Sequence, residues 1–506
     1  MLFGTDGIRG EVVDSPSDDE QAISQLLDHR MISARLMRVV GEALTRVAGM
    51  DNTVIIGWDD RPRNNELVAA LTVGLHLGGC KVIHAGICAT PGLHNSLFET
   101  NSSLGCMITA SHNPVSDSGI KVFDTMGFKT NPDLEREISE LVVQLAVEER
   151  EVDRSELAEL EKPDSIFDAD LAHQKLLKIR YHEFSEILAP ISLDEMVLDS
   201  SKGAASAWLD DFLSEIGVRA NEISLDAPEL NDNCGAGELK PTDSWTWEEA
   251  EKSDHLLIRS LEKRPAGRII AAALDGDGDR CLLIESTENG CRVVDGDEMA
   301  DHILRSVKDE WHLAASIESD LALASSLGRL NSKVKFSQTA VGDRWLSHAL
   351  RDSGQRVLGV EDSGHLVMSG PNPNGGRVLV GDGVASMLIV LCSISCKDRV
   401  GKFHRGFKKR ISISPSDRSK WNGRNSLSDE IEAIAVKFLG EMDRGSLVGE
   451  PDLMLLEKDG VSIGVRNSGT QSKTNVSLRV APNMDNAAAL GALTEISELL
   501  RTRLQD

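Results

Sequence analysis

The spacing of apolar positions divides the chain into alternating short strands and helices. Ile32, Leu36, Val39, Val40, Leu44 and Val47 recur at three- and four-residue steps and predict a helix over 31–47. Short apolar runs at 54–57, 81–83 and 104–108 predict strands, with helices over 66–77 and 90–99 between them. This rhythm with short links predicts a parallel α/β arrangement, in which ligands gather beyond the carboxyl ends of strands. It restarts at 196–199, with a helix to 216 and strands at 269–274 and 281–284. It restarts again from 297, with strands at 313–317, 333–336 and 357–360. The longest apolar run, 384–396, is broken by Ser386, Ser393 and Ser395 and predicts a buried helix rather than a membrane span.

The last stretch follows another plan. It predicts a helix near 430–439, a hairpin about Lys458-Asp459-Gly460, a strand over 476–480 and a helix from 485, an α+β order. The expected division is three α/β domains, 1–160, 161–296 and 297–410, and an α+β domain, 411–506. The acidic segment 14–28 reads as an exposed insertion, the charged segment 131–165 as a helical bridge, and the Ser/Asn/Arg-rich segment 414–428 as a linker.

Composition narrows the function. Lys and Arg number 54 against 81 Asp and Glu, a net charge of −27, which disfavours nucleic acid and anionic membranes as partners. An anionic substrate would need a local cluster of Arg and Lys. The eight cysteines form no CxxC pair and read as core residues of a reduced protein, so a cytoplasmic location is expected. The opening MLFGTDGIRG has no basic region followed by an apolar core, and no signal peptide is expected.

Five loops carry candidate chemistry. The strand at 104–108 delivers Thr109-Ala110-Ser111-His112-Asn113-Pro114, with Lys121 in the run that follows. A serine hydroxyl is a weak nucleophile until a base or cation activates it. Between two apolar strands lies Asp275-Gly276-Asp277-Gly278-Asp279-Arg280. Three carboxylates that close need a cation among them, and an all-oxygen set with open positions suits Mg²⁺ bound partly by a phosphate oxygen. Arg466-Asn467-Ser468-Gly469-Thr470 offers an arginine with hydroxyl and backbone donors, either a phosphate cradle or a plain hairpin loop. Glu361-Asp362-Ser363-Gly364-His365 after a strand suits sugar hydroxyls or a capped helix start. The glycines around Ile8-Arg9 suggest a tight loop that aims Arg9.

Together, TASHNP, DGDGDR, EDSGH and RNSGT, in that order, resemble the α-phosphohexomutase superfamily over nearly the whole chain. The resemblance implies α/β architecture: three similar α/β domains with mixed sheets and a C-terminal α+β domain around one central cleft. It implies that Ser111 is carried as phosphoserine and that one Mg²⁺ per chain is held by Asp275, Asp277, Asp279 and a phosphoryl oxygen on Ser111. Arg9, His112, Lys121 and Arg280 match the catalytic shell, with Lys121, His112 and Arg9 the candidate bases. Glu361, Ser363 and His365 match the sugar contacts. Arg466, Ser468, Gly469 and Thr470 match the contacts to the non-reacting phosphate. The implied partner is a hexose or hexosamine phosphate, with a sugar 1,6-bisphosphate as activator and a monomer or homodimer as the assembly. FGTDGIRG, Cys234-Gly235 and VDGDEM look most like the hexosamine-phosphate branch; hexose-phosphate isomerisation is the alternative. Asp362, Gln471-Ser472 and Arg63 depart from the usual pattern, and Asp362 would suit an ammonium at the sugar's C2.

Overall fold

A computed structural model describes residues 2–4, 6–148, 155–468 and 472–505. The chain divides into two compact units, one of 1–299 with 363–397, the other of 300–362 with 398–506.

In the first unit, Leu104–Ile108, Thr53–Trp58, Lys81–Ile87 and Ser165–Ile166 run parallel in one sheet. Asp117–Phe123 runs antiparallel to Leu104–Ile108 on one side and to Ile8–Val12 on the other. The sheet is therefore mixed, as the resemblance implied, and not the parallel sheet that the strand–helix rhythm alone predicted. No helix separates Ile108 from Asp117, so the chain can only turn back beside itself. The glycines around Ile8-Arg9 likewise do not make a loop of those two residues, since Ile8, Arg9 and Gly10 open the strand Ile8–Val12. Behind the sheet, Ala34–Ala48 starts at Ser33, whose hydroxyl accepts from the Leu36 amide. It packs against Asn64–Leu77 at Gly41 and Gly74. A Cβ on Gly74 would lie 2.1 Å from the Arg38 carbonyl oxygen, so only glycine permits this approach.

The acidic segment 14–28 is not an exposed insertion throughout. Asp19–His29 is a helix capped by Asp18, with Asp19, Ala22, Ile23 and Leu26 buried. Burying Ile23 and Leu26 contributes about 1.5–3 kcal/mol each, and Asp19 pairs with Arg35 and Arg38. Pro132–Ala146 is helical as the charge pattern suggested, while 149–154 lie outside the described residues.

A second sheet sets Ile269–Leu274 between parallel Glu195–Asp199 and antiparallel Cys281–Ser286. Ala169–Ile187 is a helix that the apolar pattern does not announce. Its buried face includes His173 and Arg180, and both reach Asp382, which caps the helix Gly383–Ser395. Periodicity counts His and Arg as polar, so the face goes unread. Gly383–Ser395 is buried, as its apolar run predicted, and among the described residues no helix is long and apolar enough to cross a membrane.

In the second unit, Trp311–Ser316 lies parallel between Val334–Thr339 and Arg356–Val360. The last sheet is antiparallel, in the order Phe407–Ile413, Thr474–Val480, Val461–Asn467, Met454–Lys458, Asp443–Gly445. Ser426–Leu439 and Ala487–Leu504 cover it. Because Phe407–Ile413 belongs to this sheet, 414–428 is no linker. Its Trp421 is buried and donates to the Asp452 carbonyl, and Ser416 exchanges hydrogen bonds with Ser472.

Candidate active site

Ser111 sits one turn beyond the carboxyl end of Leu104–Ile108, buried, with φ at +56°. A non-glycine residue in the left-handed region is strained and needs support from its surroundings. Here the amide of Ser111 donates to Thr109 Oγ1 at 2.8 Å. Its carbonyl accepts from Arg61 Nη2 and Asn231 Nδ2, each at 2.8 Å. Arg61 also donates to the carbonyls of Asn113, Pro114 and Asp117, and Asp59 holds its Nε at 3.0 Å. One guanidinium thus fixes four carbonyls of the loop. No motif points to Arg61 or Asn231, because both act on backbone oxygens and not on neighbours in sequence.

The hydroxyl of Ser111 donates to Asp275 Oδ2 at 2.8 Å. Asp275 follows the strand Ile269–Leu274, and the turn beyond it places Gly278 at φ +71°. Asp275, Asp277 and Asp279 offer oxygens within 4.8 Å of one another, all buried. Oδ1 of Asp277 and Oδ1 of Asp279 are buried with no hydrogen-bond partner among the described residues. A hard divalent cation fits this donor set.

Electrostatics separate the three carboxyls. Burial pushes Asp275 well above the ordinary range, and Asp279 and Asp277 push it further. Burial acts the same way on Asp279, but Lys121, His365, Lys129 and Arg280 together outweigh it and hold that carboxyl low. Lys121 Nζ lies 2.6 Å from Asp277, 2.8 Å from Asp279 and 3.3 Å from Asp6. Those carboxylates overcome burial and hold the ammonium well above its usual range. His112 is the reverse: burial, then Arg280 and Arg9, push its ring down to about 3, and its buried Nδ1 has no partner among the described residues. Arg9 pairs with Asp6 at 2.6 Å and donates to the Ala110 carbonyl at 3.2 Å. Arg280 Nε lies 3.8 Å from Asp275, and its backbone bridges to His365. His365 Nε2 stands 3.9 Å from Asp279, and Ser363 is half-buried in the turn before it. Asp6, Lys129 and Thr90 join the centre unforeseen: Lys129 pairs with Asp6 at 2.9 Å and Thr90 donates to Asp277 at 2.6 Å.

A second group of anticipated residues lies in the second unit. Glu361 accepts from the Gly342 amide at 2.7 Å. Asp362 pairs with Lys408 at 2.8 Å, so its charge is already matched by an ammonium of the chain itself. Arg466, the penultimate residue of the strand Val461–Asn467, pairs with Glu318 at 3.2 Å. Ser468 donates its amide to the Lys473 carbonyl, and Arg418 donates to the Ser468 carbonyl at 2.6 Å. Gly469 and Thr470 lie outside the described residues.

The chain matches the profile of phosphoglucomutase/phosphomannomutase α/β/α domain I over residues 1–147 and that of domain III over residues 295–403. It is similar to phosphoglucosamine mutases from Methylobacterium nodulans (31% identity, 78% of this chain and 79% of the relative) and Burkholderia vietnamiensis (30%, 87% and 89%). The same holds for that from Lactobacillus delbrueckii subsp. bulgaricus (28%, 87% and 89%). Its fold is that of a phosphoglucomutase/phosphomannomutase family protein from Burkholderia thailandensis (TM-score 0.66, 17% identity, 99% of this chain and 97% of that one). It is also that of the Aspergillus fumigatus N-acetylphosphoglucosamine mutase in complex with GlcNAc-6P and magnesium (TM-score 0.55, 15%, 92% and 99%). With two domain profiles matched and relatives of 30–31% identity along more than three quarters of its length, the chain belongs to the α-D-phosphohexomutase superfamily.

Proposed function

We propose that the protein is a phosphoglucosamine mutase, interconverting glucosamine 6-phosphate and glucosamine 1-phosphate through a phosphoserine on Ser111 and a sugar 1,6-bisphosphate. The observation that carries this is the Ser111 hydroxyl held 2.8 Å from Asp275, in a buried triad of carboxylates fit for a divalent cation. The bond from Ser111 Oγ to phosphorus breaks as a bond from the sugar oxygen to phosphorus forms, and the sugar hydroxyl gives up its proton. We assign that proton to His112, whose ring is neutral, whereas Lys121 is charged. Arg9 and Arg280 offset the phosphoserine's charge of about −1.5 to −2, so that an anionic sugar phosphate can approach. After the bisphosphate turns over in place, its other phosphoryl group returns to Ser111. Asp275, Asp277 and Asp279 would hold one Mg²⁺ together with a phosphoryl oxygen, which would draw charge from the transferring group. Glu361, Ser363 and His365 would meet the sugar, and the loop 466–470 the phosphate that stays in place. A sugar 1,6-bisphosphate would restore enzyme that loses its phosphoryl group. A cytoplasmic location and a monomer or homodimer complete the reading.

The test is isomer formation from glucosamine 6-phosphate with Ser111→Ala as control. Loss of turnover together with loss of one phosphoryl group from the intact mass supports the reading; an S111A enzyme that still isomerises ends it. The Lys408–Asp362 pair favours a second reading, a phosphoglucomutase/phosphomannomutase, because Asp362 is not left to greet an amino sugar. Relative kcat/KM for glucosamine, glucose and mannose phosphates decides between them.

A further inference from the structure

Side chains alternate across a sheet, and the last sheet of the second unit carries charge on one face. Its ladder sets Lys408 opposite Arg479, Arg410 opposite Ser477 and Ser412 opposite Asn475; Arg466 sits opposite Asn475 from the other side. The intervening Ile413, Val476, Leu478, Ile463 and Val465 enter the core. Lys408, Arg410, Arg479 and Arg466 therefore share the outer face.

Two of these guanidiniums converge on one carboxylate. Arg410 Nη1 lies 2.8 Å from Glu318 Oε2, and Arg466 Nη2 lies 3.2 Å from Glu318 Oε1. Each arginine takes one oxygen, the pattern in which two arginines grip two oxygens of a phosphate. Burial pushes the Glu318 carboxyl up, but Arg466 and Arg410 outweigh it and keep the group ionised. Arg466 Nη1 is 3.6 Å from Glu450, and its buried Nε has no partner among the described residues. Lys473, which follows the 466–470 loop, is pulled down by burial and by the charges of Arg410 and Arg466.

We propose, on the reading that loop 466–470 receives the substrate's phosphate, that Glu318 occupies the anion position of a cradle built by Arg466 and Arg410, and that a phosphate ester enters by displacing its carboxylate. Arg410 is then a phosphate ligand that no motif contains. The internal carboxylate keeps two arginines from facing each other unpaired while the cradle is empty. It also sets a charge threshold. A monoanion entering the cradle replaces one negative charge with another, whereas a phosphomonoester dianion adds a second. The ligand class selected is a phosphomonoester dianion over a carboxylate of similar size.

Calorimetric titration of inorganic phosphate, in EDTA, into the full-length chain, E318Q and R466Q tests this. E318Q is expected to bind phosphate about tenfold more tightly, and R466Q to lose the binding. E318A, which removes the carboxylate outright, is expected to follow E318Q. Unchanged or weaker binding in both Glu318 variants overturns the proposal, as does phosphate binding retained in R466Q. Failure of both Glu318 variants to fold even in saturating phosphate, read by circular dichroism, also overturns it, since the ligand's charge should then stand in for the missing carboxylate. Isomerase assay of the unaltered chain is a separate arm: phosphate binding that depends on Arg466 without isomerisation would defeat the mutase reading and leave the displacement standing.

Discussion

Arg61 Nη2 and the Ser111 carbonyl oxygen stand 2.8 Å apart, although fifty residues separate them in the chain. The same guanidinium grips three further carbonyls of the loop. A lysine has a single nitrogen and cannot span them. Arg61→Lys should therefore lower kcat about 100-fold, the cost of a nucleophile misplaced by an ångström, while KM moves far less. Steady-state kinetics separate the two; a rise in KM with kcat intact would show that Arg61 binds substrate instead of aiming the loop.

Lys121 pairs with two of the three carboxylates at the centre. Removing one partner of a buried ion pair typically costs about 3–5 kcal/mol. Lys121→Met should lose that much stability in EDTA and regain part of it when Mg²⁺ is added. Urea unfolding with and without the ion reads both numbers, and a variant as stable as the parent in EDTA would contradict the role.

His112 holds its ring neutral by burial and by the fields of Arg280 and Arg9. His112→Asn should reduce kcat about 100- to 10,000-fold if the ring accepts the sugar's proton. The phosphoserine should survive the change, so the intact mass under single-turnover conditions shows whether transfer out of Ser111 is the step that slows.

His94 gives the chain an acid limit. Its Nε2 meets the Gly127 carbonyl at 3.1 Å, and burial pushes its ring down to about 4 from the model-compound value of 6.5. The unfolded chain therefore binds the proton first. This contribution is complete above pH 6.5 and is lost as the pH falls toward 4, amounting to about 2 kcal/mol between pH 7 and pH 5. His94→Gln, which keeps a donor for Gly127, should flatten the dependence of unfolding free energy on pH over that window.

Ser111 and the aspartates of DGDGDR could be read from the sequence because their chemistry is local: a polar turn after an apolar strand, and three acids two residues apart. What supports them could not. Arg61, Asn231 and Asp6 reach the centre across the fold, and sequence records neither which carbonyl a guanidinium meets nor which acid a lysine faces. The helix Ala169–Ile187 was hidden for a related reason, since a His and an Arg on its buried face are paid for by Asp382. Trp421 shows the limit from the other side: its Ser- and Asn-rich surroundings look like a tether, yet the indole is buried and Asn467 donates to its carbonyl at 3.1 Å.

The strand Asp117–Phe123 is laddered on both edges, with Ile120 opposite Ile108 on one side and Ile8 on the other. A change in its length is therefore filtered by parity. Adding or removing two residues returns every side chain to its own face. A single residue would turn Lys121 away from the aspartates, bring Ile120 or Val122 in its place and require two ladders to slip together. Descent along this lineage should accordingly record substitutions in the strand far more readily than odd-numbered gaps.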